Sequence, residues 1–236
     1  MGQSGVAVRP IAGDDAASVG AFLTQNLNPS VSQESWLALM NPPWAFRGPN
    51  HGFALVVGEQ VVGAYLAVYS ERAGQPVCNL AAFCVLEEYR AHSLLLVRAL
   101  LRQKGFAFTD FSPSGNVVAM NARLGFTSLD VRTWLVANIP GPLPRGLAVT
   151  RLTDERAEAL GEADRAVYRD HRRAAAARHL LVTSGDAYAY LMFRRDRRKQ
   201  IRRFATPLFV GGDRELLRRA WRGVSGHLLT RDGLLF

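Results

Sequence analysis

Apolar and polar positions change period several times along the 236 residues, and each change marks an expected element. Residues 6–11 read as a short strand. Asp14 or Asp15 then stands where an N-cap belongs, ahead of a helix to Leu27. Ser32-Gln33-Glu34-Ser35 opens a second helix carrying Trp36, Leu37 and Leu39, and Pro42-Pro43 ends it. Residues 42–50, rich in Pro, Gly and Asn, predict a loop that exposes Trp44 and Phe46. Residues 53–57 and 61–69 flank Gly58-Glu59-Gln60 as strand, tight turn, strand. Residues 77–85 are almost continuously apolar, the mark of a central strand covered on both faces. A helix over 91–103 with Gly105 as its stop follows, then a strand over 106–111. A short helix opens at Ser114, Gly115 or Asn116 and ends before Gly125-Phe126, and residues 129–138 extend again.

Pro140-Gly141-Pro142-Leu143-Pro144 reads as a linker. The expected division is therefore residues 1–139, a Pro/Gly linker over 140–150, and a second part over 151–236. In that second part the pattern predicts a helix over 154–178, strands over 179–183 and 187–194, a charged turn over 195–199, and an extended segment over 200–210. A helix capped by Asp213 and running to Trp221 comes next, with a final strand over 227–236. Hairpin, strand, helix and strand in that order echo residues 53–112, so the second part reads as a partial repeat of the first.

Composition narrows the class. A hydrophobic fraction of 48% with 21% charged residues is ordinary for a soluble globular protein. No run approaches the ~20 apolar residues of a membrane span. Met1-Gly2-Gln3-Ser4-Gly5 lacks the basic and apolar segments of a secretory leader, and Val6 stands where a myristoylation motif wants Ser or Thr. Cys78 and Cys84, six residues apart in one expected strand, lie too far apart for a disulfide, so the expectation is two thiols in a cytoplasmic protein. The five histidines (His51, His92, His171, His179, His227) show no metal-ligand spacing, and no metal site is expected. Residues 1–150 carry 10 Lys+Arg against 9 Asp+Glu, whereas residues 151–236 carry 19 against 11. The second part is thus suited to an acidic partner.

Three features in order carry a family resemblance. Val85-Leu86-Glu87-Glu88-Tyr89-Arg90 follows a buried strand and precedes an apolar helix. That helix places Leu95, Leu96, Ala99 and Leu100 at helical spacing. Asn116 through Ala119 to Arg123-Leu124-Gly125-Phe126 closes the set. Together they resemble the GCN5-related N-acetyltransferase (GNAT) family, in which V-x-P-x-x-R leads into the acyl-coenzyme A loop and N-x-x-A…L-G-F follows one helix and one strand later. The resemblance covers about residues 6–138. It implies an α/β fold (mixed α+β), a splayed mixed sheet flanked by helices, here with a second, partial half of the same kind.

The resemblance also implies a site. In the family, helix N–H groups after the loop bind the cofactor pyrophosphate, which points to Arg90, Ala91, His92, Ser93, Leu94 and Leu95. The pantetheine arm pairs with the open edge of the fourth strand, here Phe83, Cys84 and Val85, and Asn116 resembles the side chain that hydrogen-bonds the arm. The acceptor attacks the thioester directly, and Asp110 and Ser112, at a strand end beside the cleft, are the candidate catalytic residues. Acetyl-coenzyme A or another acyl-coenzyme A is the implied cofactor.

The sequence departs from that pattern. The family loop is Q/R-x-x-G-x-G/A, and here Ser93 and Leu95 replace its small residues, where backbone must approach phosphate closely. The tyrosine that protonates the leaving thiolate falls on Asn121, which cannot supply that proton. Plainer roles stand beside the functional ones. Arg90 is a surface arginine or a cofactor contact, His92 a solvated first-turn residue or a base, Cys84 a buried thiol or a reactive one. Asn116 suits an N-cap as well as an arm contact, and Ser112-Pro113-Ser114 suits turn chemistry. Arg194, Arg195, Arg197, Arg198, Lys199, Arg202 and Arg203 form a basic face with few interleaved aromatics, which disfavours nucleic-acid recognition.

The expected function is transfer of an acetyl or other acyl group from acyl-coenzyme A, or from an acidic acyl carrier protein, to an amine or hydroxyl of a small molecule or sugar. The alternative is a catalytically degenerate protein of the same fold that serves binding or assembly.

Overall fold

Two β-sheets carry the chain, each in its own unit of the computed structural model, which describes residues 5–72, 74–198 and 201–236; the units divide between Asp130 and Val131. The first contains β1 (Val6–Pro10), α1 (Ala16–Asn26), α2 (Gln33–Met40), β2 (Gly52–Val57), β3 (Gln60–Arg72), β4 (Gln75–Val85), α3 (Ser93–Leu101), β5 (Ala107–Thr109) and α4 (Gly115–Arg123). Its strand order is β1-β2-β3-β4-β5, antiparallel throughout except for the parallel pair β4–β5.

Two irregularities decide which side chains face which helices. The β2–β3 register shifts between Leu55 and Val56, so Val61 and Ala64 share one face although they are an odd three positions apart. The β3–β4 register shifts between Ala64 and Leu66, which puts Ala81, Ala82 and Cys84 toward the cluster of α1 and α2 while Leu80, Phe83 and Val85 pack with α3. Both faces of β3 and β4 are therefore covered by apolar residues, as the near-continuous apolar runs require.

Local chemistry sets the helix starts. The Ser32 hydroxyl accepts the N–H of Ser35 at α2. α1 begins behind a 3-10 turn, Gly13–Asp15, and Asp15 pairs with Arg9 at 2.5 Å. Trp44 and Phe46, expected on the surface, are half-buried. Trp44 donates its indole N–H to the Tyr69 carbonyl at 2.7 Å, and Phe46 packs on the α3-side core. The strand expected over 106–111 is only three residues long, and residues 129–138 form no strand.

The second unit contains β6 (Ala148–Arg151), α5 (Asp154–Ala157), α6 (Glu162–His171), β7 (Ala177–Ser184), β8 (Ala187–Arg198), β9 (Ile201–Gly212), α7 (Arg214–Arg219) and α8 (Trp221–Asp232), with strand order β6-β7-β8-β9. Two short helices between the first two strands, a hairpin, a bulged third pair and a helix after the fourth strand repeat the first unit. The bulge recurs where Phe193 faces Pro207 and Met192 faces Phe209. One long helix over 154–178 is not formed. Gly161 takes an extended conformation (φ −58, ψ 153) and its N–H bonds the Tyr188 hydroxyl at 2.9 Å, which separates α5 from α6. A final strand over 227–236 is not formed either. α8 buries Val224, Ser225, Leu228 and Asp232 at helical spacing and stops at left-handed Gly233. Only Leu235 and Phe236 extend, bonding the backbone of Arg203 and Ala205 on β9. Lys199 and Gln200, part of the expected charged turn, lie outside the described residues. Among the described residues no helix is long and apolar enough to cross a membrane.

Two histidines make this unit sensitive to acid. His179 on β7 meets the Tyr190 hydroxyl at 2.8 Å and the Tyr168 ring edge-on at 5.1 Å, and burial pulls its pKa below the ordinary 6.5. Burial likewise lowers His227 on α8, against the opposing pull of Asp232 and with Arg151 and Arg231 adding to the fall. The unfolded chain therefore binds protons that the folded chain refuses, and stability is lost as pH falls below about 6.5. We expect the melting temperature of this unit to be level above about pH 7 and to drop between about pH 6.5 and 5, with a smaller drop in His227→Gln. A melting temperature that rises on acidification would contradict this.

Candidate active site

The site begins where two strands part. β5 pairs with β4 only through Val77–Ala107, Cys78–Phe108 and Asn79–Thr109. Beyond Asn79, β4 continues to Val85 with β3 as its only strand neighbour among the described residues. The backbone of residues 80–85 therefore presents unpaired N–H and C=O groups along one edge, the kind of edge an extended ligand can join. Ala82, in the bulge, holds a left-handed φ of 53, which turns this edge at the fork. At the fork itself the Thr109 hydroxyl donates to the Asn79 side-chain oxygen at 3.0 Å.

Polar side chains gather on the α3 side of that opening. Asp110, just past β5, accepts the Asn121 side-chain N–H at 2.9 Å and the Ser112 backbone N–H at 3.3 Å. Asn121 on α4 is buried, and its own oxygen has no partner among the described residues. Tyr65 on β3 is 1% exposed, its hydroxyl is likewise without a partner, and its ring lies 4.5 Å from that of Phe83. Burial raises the Tyr65 pKa, and the nearby Asp110 and Cys78 raise it further, so the phenol stays protonated. Burial pushes the Cys78 thiol up to about 12, and the half-buried Cys84 thiol also rises, with Arg90 opposing; neither cysteine is primed as a nucleophile.

The region after β4 has a distinctive form. Glu87–His92 is a 3-10 helix that runs straight into α3, and the Ser93 N–H bonds the Arg90 carbonyl. The helix expected from residue 91 thus starts as α-helix at Ser93. Its leading amides are partly spent within the 3-10 turn rather than left free for an anion. Arg90 pairs with Glu87 at 2.8 Å, both side chains being well exposed. Ala91 is exposed, the Nδ1 of His92 is buried without a partner among the described residues, and Leu94 and Leu95 project outward at 48% and 39% exposure. Asn116 is the second residue of α4, behind Ser114 as N-cap, and its side chain lies outside what is described.

The structure thus sets Phe83, Cys84 and Val85 on the open edge and Asp110 and Ser112 at β5's end, while residues 90–95 form a continuous helical turn. Sequence reasoning passed over Tyr65, Asn79 and Thr109. Asn79 carried a usable signal, a lone amide inside an apolar strand. Tyr65 carried none, because its role depends on the bulge opposite it. In the second unit the helix after the third hairpin strand starts differently: the Asp213 carboxylate accepts the N–H groups of Glu215 and Leu216 at 2.8 and 3.0 Å.

No family model and no curated protein matches the sequence. Solved structures do match across nearly the whole chain. A tandem GNAT protein from the clavulanic acid biosynthesis pathway has 16% identity and a TM-score of 0.56, covering 97% of this chain and 86% of that one. A GCN5-related N-acetyltransferase from Anabaena variabilis has 12% identity and a TM-score of 0.58, covering 95% of this chain and 63% of that one. The glucosamine N-acetyltransferase region of a fungal multidomain GH3 β-N-acetylglucosaminidase has 13% identity and a TM-score of 0.63; it spans all of this chain, which corresponds to 35% of that protein. At these identities the likeness is one of fold, and it extends over both units.

Proposed function

From the GNAT fold that this chain carries in both halves, we propose that its first unit is an acyltransferase that moves an acyl group from a pantetheine thioester to a small-molecule amine. The observation that supports this most is the parting of β4 from β5 after Asn79, which leaves residues 80–85 as a free edge beside Asp110 and Asn121. The donor's amide-bearing arm would pair along that edge, as a strand would. The Asp110 carboxylate would hold the acceptor's ammonium and take its proton as the amine attacks the thioester carbon; the C–N bond forms and the C–S bond breaks. Asn121 stands where a thiolate-protonating tyrosine would be, so the sulfur leaves as thiolate and takes its proton from water. An amino sugar is a reasonable first acceptor to assay, since one neighbour of the same fold is a glucosamine N-acetyltransferase region.

The same 3-10 turn supports a second reading for the donor. With the Ser93 N–H engaged by the Arg90 carbonyl and Leu95 projecting outward, the start of α3 is poorly suited to a pyrophosphate. A carrier-protein donor has a single phosphodiester and would depend on that cradle less, and the basic second part suits an acidic carrier. Free coenzyme A should accordingly bind weakly. Leu95→Gly should tighten it by about tenfold or more, as one restored charge-assisted hydrogen bond of about 1.5–3 kcal/mol would do. Calorimetric titration of both forms decides it. Tight binding by the unchanged protein would show a competent loop. No binding by either form, together with capture of acylated carrier protein, would assign the donor to the carrier. Absence of both would leave a binding module of this fold.

A further inference from the structure

Two buried side-chain atoms near the parting of β4 and β5 lack a hydrogen-bond partner among the described residues: the Tyr65 hydroxyl and the Asn121 side-chain oxygen. Tyr65 is 1% exposed and Asn121 6%. A buried polar atom left unpaired costs stability. One of these can donate and the other can only accept, yet they do not bond to each other. Asn121 gives its own N–H to Asp110 at 2.9 Å, which leaves its oxygen over.

The course of the Tyr65 side chain shows what its hydroxyl faces. Tyr65 belongs to β3, and β4 lies between β3 and β5. Its ring lies 4.5 Å from that of Phe83 on β4. Burial raises its pKa, and the charge of Asp110 just past β5 raises it further, so the phenol is within electrostatic reach of the end of β5. The side chain therefore crosses β4 on the α3 face and ends at the parting, beside the edge of residues 80–85. The core around it is apolar and asks only for the ring, not for a hydroxyl. Phe83 and Asp110, its neighbours at the opening, are only half-buried, and a ligand that displaces either one reaches the hydroxyl.

We propose that Tyr65 is a catalytic residue of the first unit, its hydroxyl donating a hydrogen bond to the carbonyl oxygen of a thioester laid along residues 80–85. This rests on the donor site proposed above. As the amine adds, the C–N bond forms and the carbonyl oxygen takes up negative charge, which a fixed donor in a site closed to water stabilises. The proton stays on the phenol throughout, in keeping with its raised pKa. When the carbonyl re-forms, the C–S bond breaks and the thiolate leaves. The unpaired hydroxyl is thus a cost of the free protein that the bound thioester relieves.

Tyr65→Phe keeps the ring and removes only the hydroxyl. Without ligand the variant should melt about 2–4 °C above the wild type, as the loss of one unpaired buried hydroxyl would do. Difference infrared spectra of the full chain saturated with S-acetyl-pantetheine, isotopically labelled at its acetyl carbonyl, report on the hydrogen bond itself. The carbonyl stretch should lie at lower wavenumber on the wild type than on Tyr65→Phe. The kcat for acyl transfer should fall by about 10²-fold in the variant, with little change in the KM for the thioester. A variant that melts no higher than the wild type, a carbonyl band that is the same on both, or an unchanged kcat would overturn the proposal and leave the donor site in place. A wild type that binds no thioester would overturn the donor site itself, and the proposal with it.

Discussion

Gly52→Ala is expected to cost the first unit on the order of 4 kcal/mol, a large share of the ~5–15 kcal/mol that holds a typical domain folded. Gly52 opens β2 at a φ of +112, where any other residue is strained, at about 1–3 kcal/mol. An added Cβ would also fall on the Tyr65 carbonyl oxygen, with the Leu66 Cα at 2.8 Å and the Ala67 N at 2.9 Å. These are backbone atoms of the central strand and cannot swing aside, so overpacking adds about 1–3 kcal/mol. The same glycine accepts the Ile11 N–H at 2.8 Å and donates to the Asn50 side chain at 2.8 Å, tying β1, β2 and the preceding loop together. Gly58→Ala is the control. Its φ of +60 is also positive, but nothing lies within 4 Å of an added Cβ, and its cost should stay near 1 kcal/mol. Urea unfolding followed by circular dichroism compares the two; equal costs would show that the close approach to Tyr65 does not matter.

The second large effect concerns chemistry. Asp110→Asn should lower kcat for acyl transfer by about 10²–10³-fold, the range attributed to a positioned acid or base. Asparagine has the shape of aspartate and can still accept the Asn121 N–H through its own side-chain oxygen, so the 2.9 Å contact has a means to persist. The melting temperature should hardly change, and the KM for the thioester should stay close to that of the wild type, because the donor arm is proposed to rest on β4 rather than on Asp110. Unchanged kcat would remove Asp110 from the mechanism. A KM that rises with kcat unaltered would make it a binding residue only.

Much of the first unit was legible in the sequence because its signals are local. The capping serine before α2, the Gly58-Glu59 turn and the apolar run of β4 each specify one element without reference to the rest. Spacing between the segment after β4 and the Leu124-Gly125-Phe126 ending then gave the topology. What stayed hidden depends on pairing. β5 is three residues long because the sheet opens there, not because its sequence changes. The β3–β4 bulge that brings Tyr65 under Phe83 has no mark in either strand beyond Ala82, an alanine at positive φ.

In the second unit two elements were misread for a shared reason. His227-Leu228-Leu229-Thr230 is too short an apolar run to tell strand from helix by period alone, and α8 is settled by the packing of Val224 and Leu228 on β7 and β8 residues. The Ala- and Arg-rich stretch favours helix by propensity, but Gly161 interrupts it and Ala177 and Arg178 are drawn into β7 by their pairing with Arg194 and Phe193. For the candidate site, the sequence supplied Asp110 and the residues after β4. The 3-10 form of Glu87–His92 came from structure alone, since no glycine or proline marks it.

The central claim is that the open edge of β4 receives a pantetheine thioester, and S-acetyl-pantetheine tests it most directly because it lacks the pyrophosphate and so does not depend on the turn before α3. Backbone amide chemical shifts of the isotopically labelled full chain would be followed while this compound is added to millimolar concentration. The expected result is saturable shifts confined to residues 80–85 of β4 and to the neighbourhood of Asp110 and Asn121. No shifts, or shifts centred on β9 and α7 of the second unit, would contradict it.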